Sequence, residues 1–398
     1  MKEIDNKTDF LKWLHSAELS LPKVAVQSLD LSEYETIMNQ KSYANSLFLG
    51  CDLSDRVAGH IVQTGGVVIP NAKEMLFKSH LAHLYNPQEL FHGFDPTLTN
   101  GYHQTLDYKI YDQYVNQGKD LPSSIHTSLM RRLHDHSITE ALMEAIKGRK
   151  VVAIMGGHGI ERSDPFYQKV ARIAWELTQK GFLLVSGGGP GIMEATHLGA
   201  YFASRSLADL DQAITLMKPR PKGAVKGKEY DDWDWLHRAM QVIDHYPLTE
   251  AMKPQCMSIG IPTWLYGHEP PAPFATHIAK YFANSVREDG LLAIAKHGVI
   301  FAPGSAGTTQ EIFQDACQNH YAAYNKDPRI SRFVSPMILF GVEHWTQKRP
   351  VWDLMQTVTA GQPYGELLAL TDNETEIIDR IVRYQPEAYQ YPPNKKSQ

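Results

Sequence analysis

The chain has 398 residues, more than one ordinary domain of about 100–200 residues uses, so two domains are expected. Hydrophobic residues make up 43% and charged ones 21%, a mixture that can bury a core and that excludes a disordered or fibrous chain. Thirty-nine basic against 44 acidic residues leave a formal net charge of -5, which argues against a dedicated nucleic-acid binder. Cys51, Cys256 and Cys317 lie too far apart for a zinc knuckle or a CxxC pair, and so sparse a count is that of a reducing compartment. The opening MKEIDNKTDF has mixed charge and no apolar core, so no signal peptide is expected. Nowhere do about 18 apolar residues run together, so no membrane helix is expected either. The expectation is a soluble, cytoplasmic protein.

After a possible first helix, Val24 to Leu29 reads as a strand. Ser32 with Glu35 three residues on predicts a capping box for a helix over about 32–40. Ser46 to Gly50 and Val67 to Ile69 read as strands flanking a helix from Asp55 to Val62. Strand, helix, strand, helix, strand makes a small parallel α/β unit. Pro70 to Gly118 is irregular and rich in Tyr, Phe and His, and two helices follow, the second starting at Ser137 with Glu140 as its box partner. His134-Asp135-His136 reads as an exposed helix end rather than a metal site, since no third ligand is in view.

At Gly148 the texture changes. Val151 to Met155 is a continuous apolar run, the pattern of a strand buried on both faces. Asp164-Pro165 supplies an N-cap and an N1 proline for a helix to about Lys180. Phe182 to Val185 is the next strand, and a helix follows to about Ser204. The segment 205–255 interrupts this rhythm with a basic stretch, Lys218 to Lys228, and an amphipathic helix around Trp233 to Ile243. Strands resume at Met257–Ile261, Val299–Ala302, Pro336–Phe340 and Leu367–Leu370, with helices within 275–296 and a terminal helix capped by Thr371 and Glu374. The second half is therefore read as a doubly wound parallel sheet over 149–390, preceded by an accessory α/β domain over 1–148 and followed by a tail at 391–398.

In such sheets ligands bind beyond the carboxyl ends of the strands, near helix N-termini. Three glycine-rich turns stand there: Gly156, Gly157 and Gly159; Gly187, Gly188, Gly189 and Gly191; and Gly304, Ser305, Ala306, Gly307 and Thr308. Any one of them could simply tighten a turn; three on one edge point to a phosphate-bearing ligand. No GxxxxGK[ST] occurs, and Arg162 and Ile192 stand where a dinucleotide fingerprint wants its third glycine. A mononucleotide fits better.

GGGPGIMEA (Gly187 to Ala195) and PGSAGTTQE (Pro303 to Glu311) resemble the GGGxxGxM and PGGxGTxxE motifs of the Lonely Guy family of nucleoside 5'-monophosphate phosphoribohydrolases, long labelled lysine decarboxylase-like. The Ser-x-His-Lys segment of pyridoxal-dependent decarboxylases is absent. The resemblance covers about 150–385, and the longer bacterial nucleotide nucleosidases are similar as well. It implies a Rossmann-like sheet, a homodimer or larger homo-oligomer, no metal and no organic cofactor. It also implies hydrolysis of a nucleoside monophosphate, AMP, GMP or similar, to free base and ribose 5-phosphate. Glu311 matches the family's catalytic glutamate, and Arg287 in NSVREDGLL is the nearest equivalent of its catalytic arginine, without the flanking lysine and methionine of the motif. Ser305 replaces the second glycine of PGGxGT, while Met193 and Glu194 keep the GxM core.

Glu311 is expected on the first turn after the phosphate loop, where it would stabilise a ribosyl oxocarbenium ion or activate water. Arg287 would orient it, contact phosphate or assist the departing base. Glu194 either meets a ribose hydroxyl or only favours its helix N-terminus. Lys218, Arg220, Lys222, Lys226 and Lys228 read as a solvated loop, with a lid over phosphate or a regulatory nucleotide site as the alternative. Trp233, Trp235, Trp264, Tyr266 and His268 read as core and interface, with a base pocket lined by stacking as the alternative, to which Trp264-Leu265-Tyr266, following a strand onto the ligand edge, is best placed. The rival reading of the whole chain is a nucleotide-binding sensor or carrier without turnover.

Overall fold

A computed structural model describes residues 1–99, 101–119, 121, 124–218, 225–231, 233–266, 269–325, 327 and 334–386. Arg220, Lys222, His268 and the tail from 391 lie outside the described residues, as does the side chain of Trp233. The chain forms two compact units, Met1–Leu84 with Asp112–Ala145 and Tyr85–Tyr111 with Ile146–Gln398.

The first unit carries four parallel strands, β1 (Lys2–Ile4), β2 (Val24–Gln27), β3 (Leu47–Leu49) and β4 (Val67–Ile69), in the order β1-β2-β3-β4. Phe10, Trp13, Val26, Phe48 and Ile61 pack between the sheet and the helices Lys7–Leu14 and Asp55–Gln63. β1 has one buried side chain in three, too little alternation to be read from sequence.

Two expected helix starts do not form. Ser32 gives its N–H and hydroxyl to Asp30 Oδ1, at 3.1 and 2.7 Å, so the segment becomes a 3-10 turn, Ser32–Tyr34, followed by one α turn, Glu35–Met38. Ser137 lies inside one continuous helix, Ile125–Ala145, donating its hydroxyl to the His134 carbonyl at 2.8 Å and accepting the Leu81 N–H at 3.1 Å. His134 and Asp135 are buried, not exposed, and His134 Nδ1 meets Asp135 Oδ1 at 3.1 Å. A helix end was the wrong context: in mid-helix these side chains turn inward.

The second unit carries seven parallel strands: β5 (Lys150–Met155), β6 (Phe182–Ser186), β7 (Ser258–Gly260), β8 (His277–Ile278), β9 (Val299–Phe301), β10 (Met337–Phe340) and β11 (Leu368–Thr371). Their order is β11-β10-β9-β5-β6-β7-β8. This is a Rossmann-like, doubly wound sheet: the chain runs outward from β5 to β8, returns to β9 on the other flank of β5, and runs outward again. Val151 to Met155 are buried throughout, as their apolar run requires. The Asp164 side chain accepts the Phe166 N–H at 2.8 Å and Pro165 opens the helix Pro165–Gln179, as expected. Helix Glu374–Arg383 is capped by Asn373 instead of Thr371, whose hydroxyl goes to Glu376 at 2.7 Å. The insertion holds one helix the sequence reading passed over, Leu207–Met217, opened by a reciprocal Ser206–Asp209 capping box, and the expected one, Trp233–His245.

Residues 85–111 belong to the second unit, which corrects the expectation of an uninterrupted domain over 1–148. A buried carboxylate ties this segment to the rest of the unit. Asp107 takes Lys280 Nζ at 2.5 Å and Trp264 Nε1 at 3.0 Å on one oxygen, and Tyr102 Oη at 2.6 Å on the other. Among the described residues no helix is long and apolar enough to cross a membrane.

Candidate functional site

The doubly wound order puts the switch point between the adjacent strands β5 and β9, and ligand crevices in such sheets open there. The glycine turns after β5, β6 and β9 meet at that place. Gly157 donates its N–H to the Pro303 carbonyl at 2.9 Å and accepts the Ile192 N–H at 3.2 Å, so one loop is bonded to both others. Gly188 has φ +71°, and a Cβ there would lie 2.7 Å from Ile261 N, which makes glycine obligatory. Behind it, Ser186 Oγ accepts the Gly188 N–H at 3.0 Å and meets His197 Nε2 at 2.8 Å, while His197 Nδ1 meets Ser258 Oγ at 2.9 Å. Burial pulls the His197 pKa down to about 3, so this brace stays neutral. On the other side His344 Nε2 lies 3.0 Å from the Gly304 carbonyl and supports the PGSAGT turn.

The loops line a cleft of about 380 Å³. Of the residues singled out in the sequence, Gly156, Gly157, Gly187, Gly189, Met193, Arg287, Ser305, Ala306, Gly307, Thr308 and Glu311 line it. Gly188, Gly191 and Gly304 are not part of its wall and back the turns instead. Helix Ala306–Ala323 starts at Ser305 with no side-chain cap, so its first amides, at Ala306, Gly307 and Thr308, are donors without an intrahelical acceptor on the cleft wall.

Glu194 is a correction. It is fully buried and accepts Arg162 Nε at 2.9 Å and Nη2 at 2.5 Å, with Tyr167 Oη at 2.8 Å. Arg162 also donates Nη1 to the Trp235 carbonyl at 2.9 Å and stacks on the Trp235 ring at 4.6 Å. A buried carboxylate needs such pairing. Glu194 therefore clamps the helix Trp233–His245 of the insertion and is not in reach of a ribose.

Glu311 stands on the second turn of its helix, not the first. Because helical side chains lean toward the N-terminus, its carboxyl still reaches back to the cleft, where Arg287 Nη1 lies 3.8 Å from Oε1. Each of these two residues is only 8% exposed. Burial pushes the Glu311 pKa up to about 8, with Glu288 adding to the rise and Arg287 opposing it. Arg287 Nη2 donates to Asn284 Oδ1 at 3.0 Å and lies 3.9 Å from Glu288 Oε1; Asn284 in turn donates to Tyr266 Oη at 3.2 Å. Arg287 Nε is buried and finds no acceptor among the described residues.

The cleft also holds residues the sequence did not single out: Glu288 beside Arg287, and His158 and Glu269. His158 Nδ1 and Glu269 Oε1 are 3.3 Å apart. Glu288 was visible as the neighbour of Arg287; Glu269 lies after β7, outside the three glycine-rich turns that drew attention to the cleft. Of the aromatic cluster, Tyr266 is half exposed on the cleft, whereas Trp264 is fully buried on Asp107 and does not reach it. Lys226 and Lys228 are exposed, and the Gly227 N–H between them is tied to Glu161 Oε1 at 2.9 Å.

Neither a protein-family model nor a curated protein sequence matches the chain. Among solved structures, the chain is similar to the molybdenum cofactor binding protein from the phototrophic bacterium Rippkaea orientalis. Identity is 13%, over 59% of this chain and 97% of that one, with a TM-score of 0.35. A likeness at that level carries nothing about chemistry.

Proposed function

We propose that the protein hydrolyses the N-glycosidic bond of nucleoside 5'-monophosphates, releasing free base and ribose 5-phosphate. The observation that supports this reading best is one juxtaposition. The uncapped amides of residues 306–308 and the Glu311–Arg287 pair at 3.8 Å line the same cleft of about 380 Å³. The amides hold the 5'-phosphate, so binding energy spent on the phosphate fixes the sugar beside the carboxyl. The bond from C1' to the base nitrogen breaks with its electron pair leaving on the base. Ionised Glu311 stabilises the oxocarbenium charge and takes a proton from the water that forms the new C1'–O bond. The departing base takes a proton from solvent water, Glu311 returns to solvent the proton it took, and Arg287 steadies Glu311 and the developing negative charge.

A cytoplasmic location and assembly into a homodimer or larger homo-oligomer are part of the same proposal; sedimentation reports the second. The test of the activity is incubation with a panel of nucleoside monophosphates and the matching nucleosides, read by chromatography for free base. Release from monophosphates and not from nucleosides is expected. Binding without release from any member would make the protein a nucleotide sensor or carrier instead.

A further inference from the structure

We infer that Glu269 reads the base and that the preferred substrate carries guanine. The inference rests on the nucleotide reading above and adds a direction to it. Two helix-start loops open on the cleft, but only one is free for an anion. Glu269 Oε2 lies 3.3 Å from where a Cβ on Gly189 would stand, so a carboxylate already faces the GGGPG turn and repels phosphate from it. The phosphate is left the PGSAGT turn after β9, whose first amides at residues 306–308 carry no side-chain cap. From β9 to β6 and β7 is two to three strand spacings of about 4.8 Å, hence about 10–14 Å. That matches the span from a 5'-phosphate to the far edge of its base. The base therefore meets Glu269.

Its surroundings suit that role. Tyr266 presents a half-exposed ring on the same cleft, a face for stacking. The Tyr266 hydroxyl stands within electrostatic reach of Glu269, Glu288, Arg287 and Glu311, so the base wall and the reacting groups belong to one site. Glu269 keeps 21% of its side chain exposed and spends one oxygen on His158, which leaves lone pairs on both oxygens. A carboxylate wants two adjacent donors. Guanine offers a ring N–H beside an exocyclic amino group. Adenine and cytosine set their amino group next to a ring acceptor, and uracil and hypoxanthine offer a single N–H beside carbonyl oxygen.

The experiment uses the full chain and Glu269→Gln, which keeps shape and replaces one acceptor oxygen by a donor. Guanosine and inosine monophosphates differ only in the 2-amino group. The wild type is expected to favour guanosine monophosphate over inosine monophosphate in kcat/KM by about tenfold or more, the worth of one charge-assisted hydrogen bond. In Glu269→Gln that ratio falls toward one while the inosine rate moves less. A wild-type ratio near one, or a ratio that the variant leaves unchanged, overturns the inference and leaves the hydrolase reading standing. If no nucleotide is hydrolysed, the hydrolase reading fails, and calorimetric affinities for the same two nucleotides still judge Glu269. A guanosine preference lost in the variant supports it; equal affinities, or no binding, overturn it. Matching melting curves show that the substitution has not unfolded the chain.

Discussion

Glu311 shows how one residue sets stability against function. Its pKa rises from 4.5 to about 8 on folding because burial penalises the charged form. The folded state thus holds the proton more tightly than the unfolded chain. The associated stabilisation is complete below about pH 4.5, fades as pH rises, and is gone above about pH 8. Glu311→Gln removes a charge that is costly above pH 8. We expect its melting temperature to exceed the wild type's at pH 8–9, with the gap closing near pH 4–5 in scanning calorimetry. Turnover should move the other way, falling about 10²–10⁴-fold in the variant while nucleotide affinity is kept. Because the proposed mechanism needs the ionised carboxylate, kcat/KM should climb about tenfold per pH unit below 8 and level above it. A profile that falls through pH 8 would instead make Glu311 a proton donor to the base. Arg162 gives a contrasting case. Arg162→Ala leaves Glu194 charged, buried and unpaired apart from Tyr167, and urea unfolding should register a loss of about 3–5 kcal/mol.

At the scale of elements, the GGGPG turn is the rigid piece. Gly188→Ala combines a φ of +71° with a contact at 2.7 Å from Ile261 N. It should cost more than the about 1 kcal/mol of an ordinary glycine substitution and weaken nucleotide binding with it, as parallel melting and binding curves would report. This scale also marks what sequence can carry. The central strands were legible because burial on both faces leaves an unbroken apolar run, as in Val151 to Met155. The Asp164-Pro165 start was legible because cap and proline act locally. Ser32 and Ser137 showed the same kind of cue and misled, since Asp30 and the His134 carbonyl compete for their hydroxyls. Glu311 and Arg287 came from motif resemblance, and the structure sets them together. Glu194 sat in a motif too, yet its partner Arg162 lies 32 residues away, and no spacing rule announces such a pair. Glu269 had neither motif nor local pattern.

For the whole molecule, the segment Tyr85–Tyr111 decides how the second unit is built. Asp107→Ala would leave Lys280 fully buried without its counter-charge, and Trp264 and Tyr102 without an acceptor there. A loss of about 3–5 kcal/mol is expected in denaturant titration; a loss below 1 kcal/mol would mean that the clasp does not hold the segment. The same clasp imposes a timetable on synthesis. Asp107 leaves the ribosome 157 residues before Trp264 and 173 before Lys280. At about 5–20 residues per second, a carboxylate and its aromatic neighbours wait roughly 8–35 s for their partners. During that interval a Tyr- and Phe-rich stretch has no native seat, and nascent chains crowded on one message are most exposed to sticking together. Slower translation of the second half would lengthen that window, and a chaperone that shields apolar segments would find its natural client here.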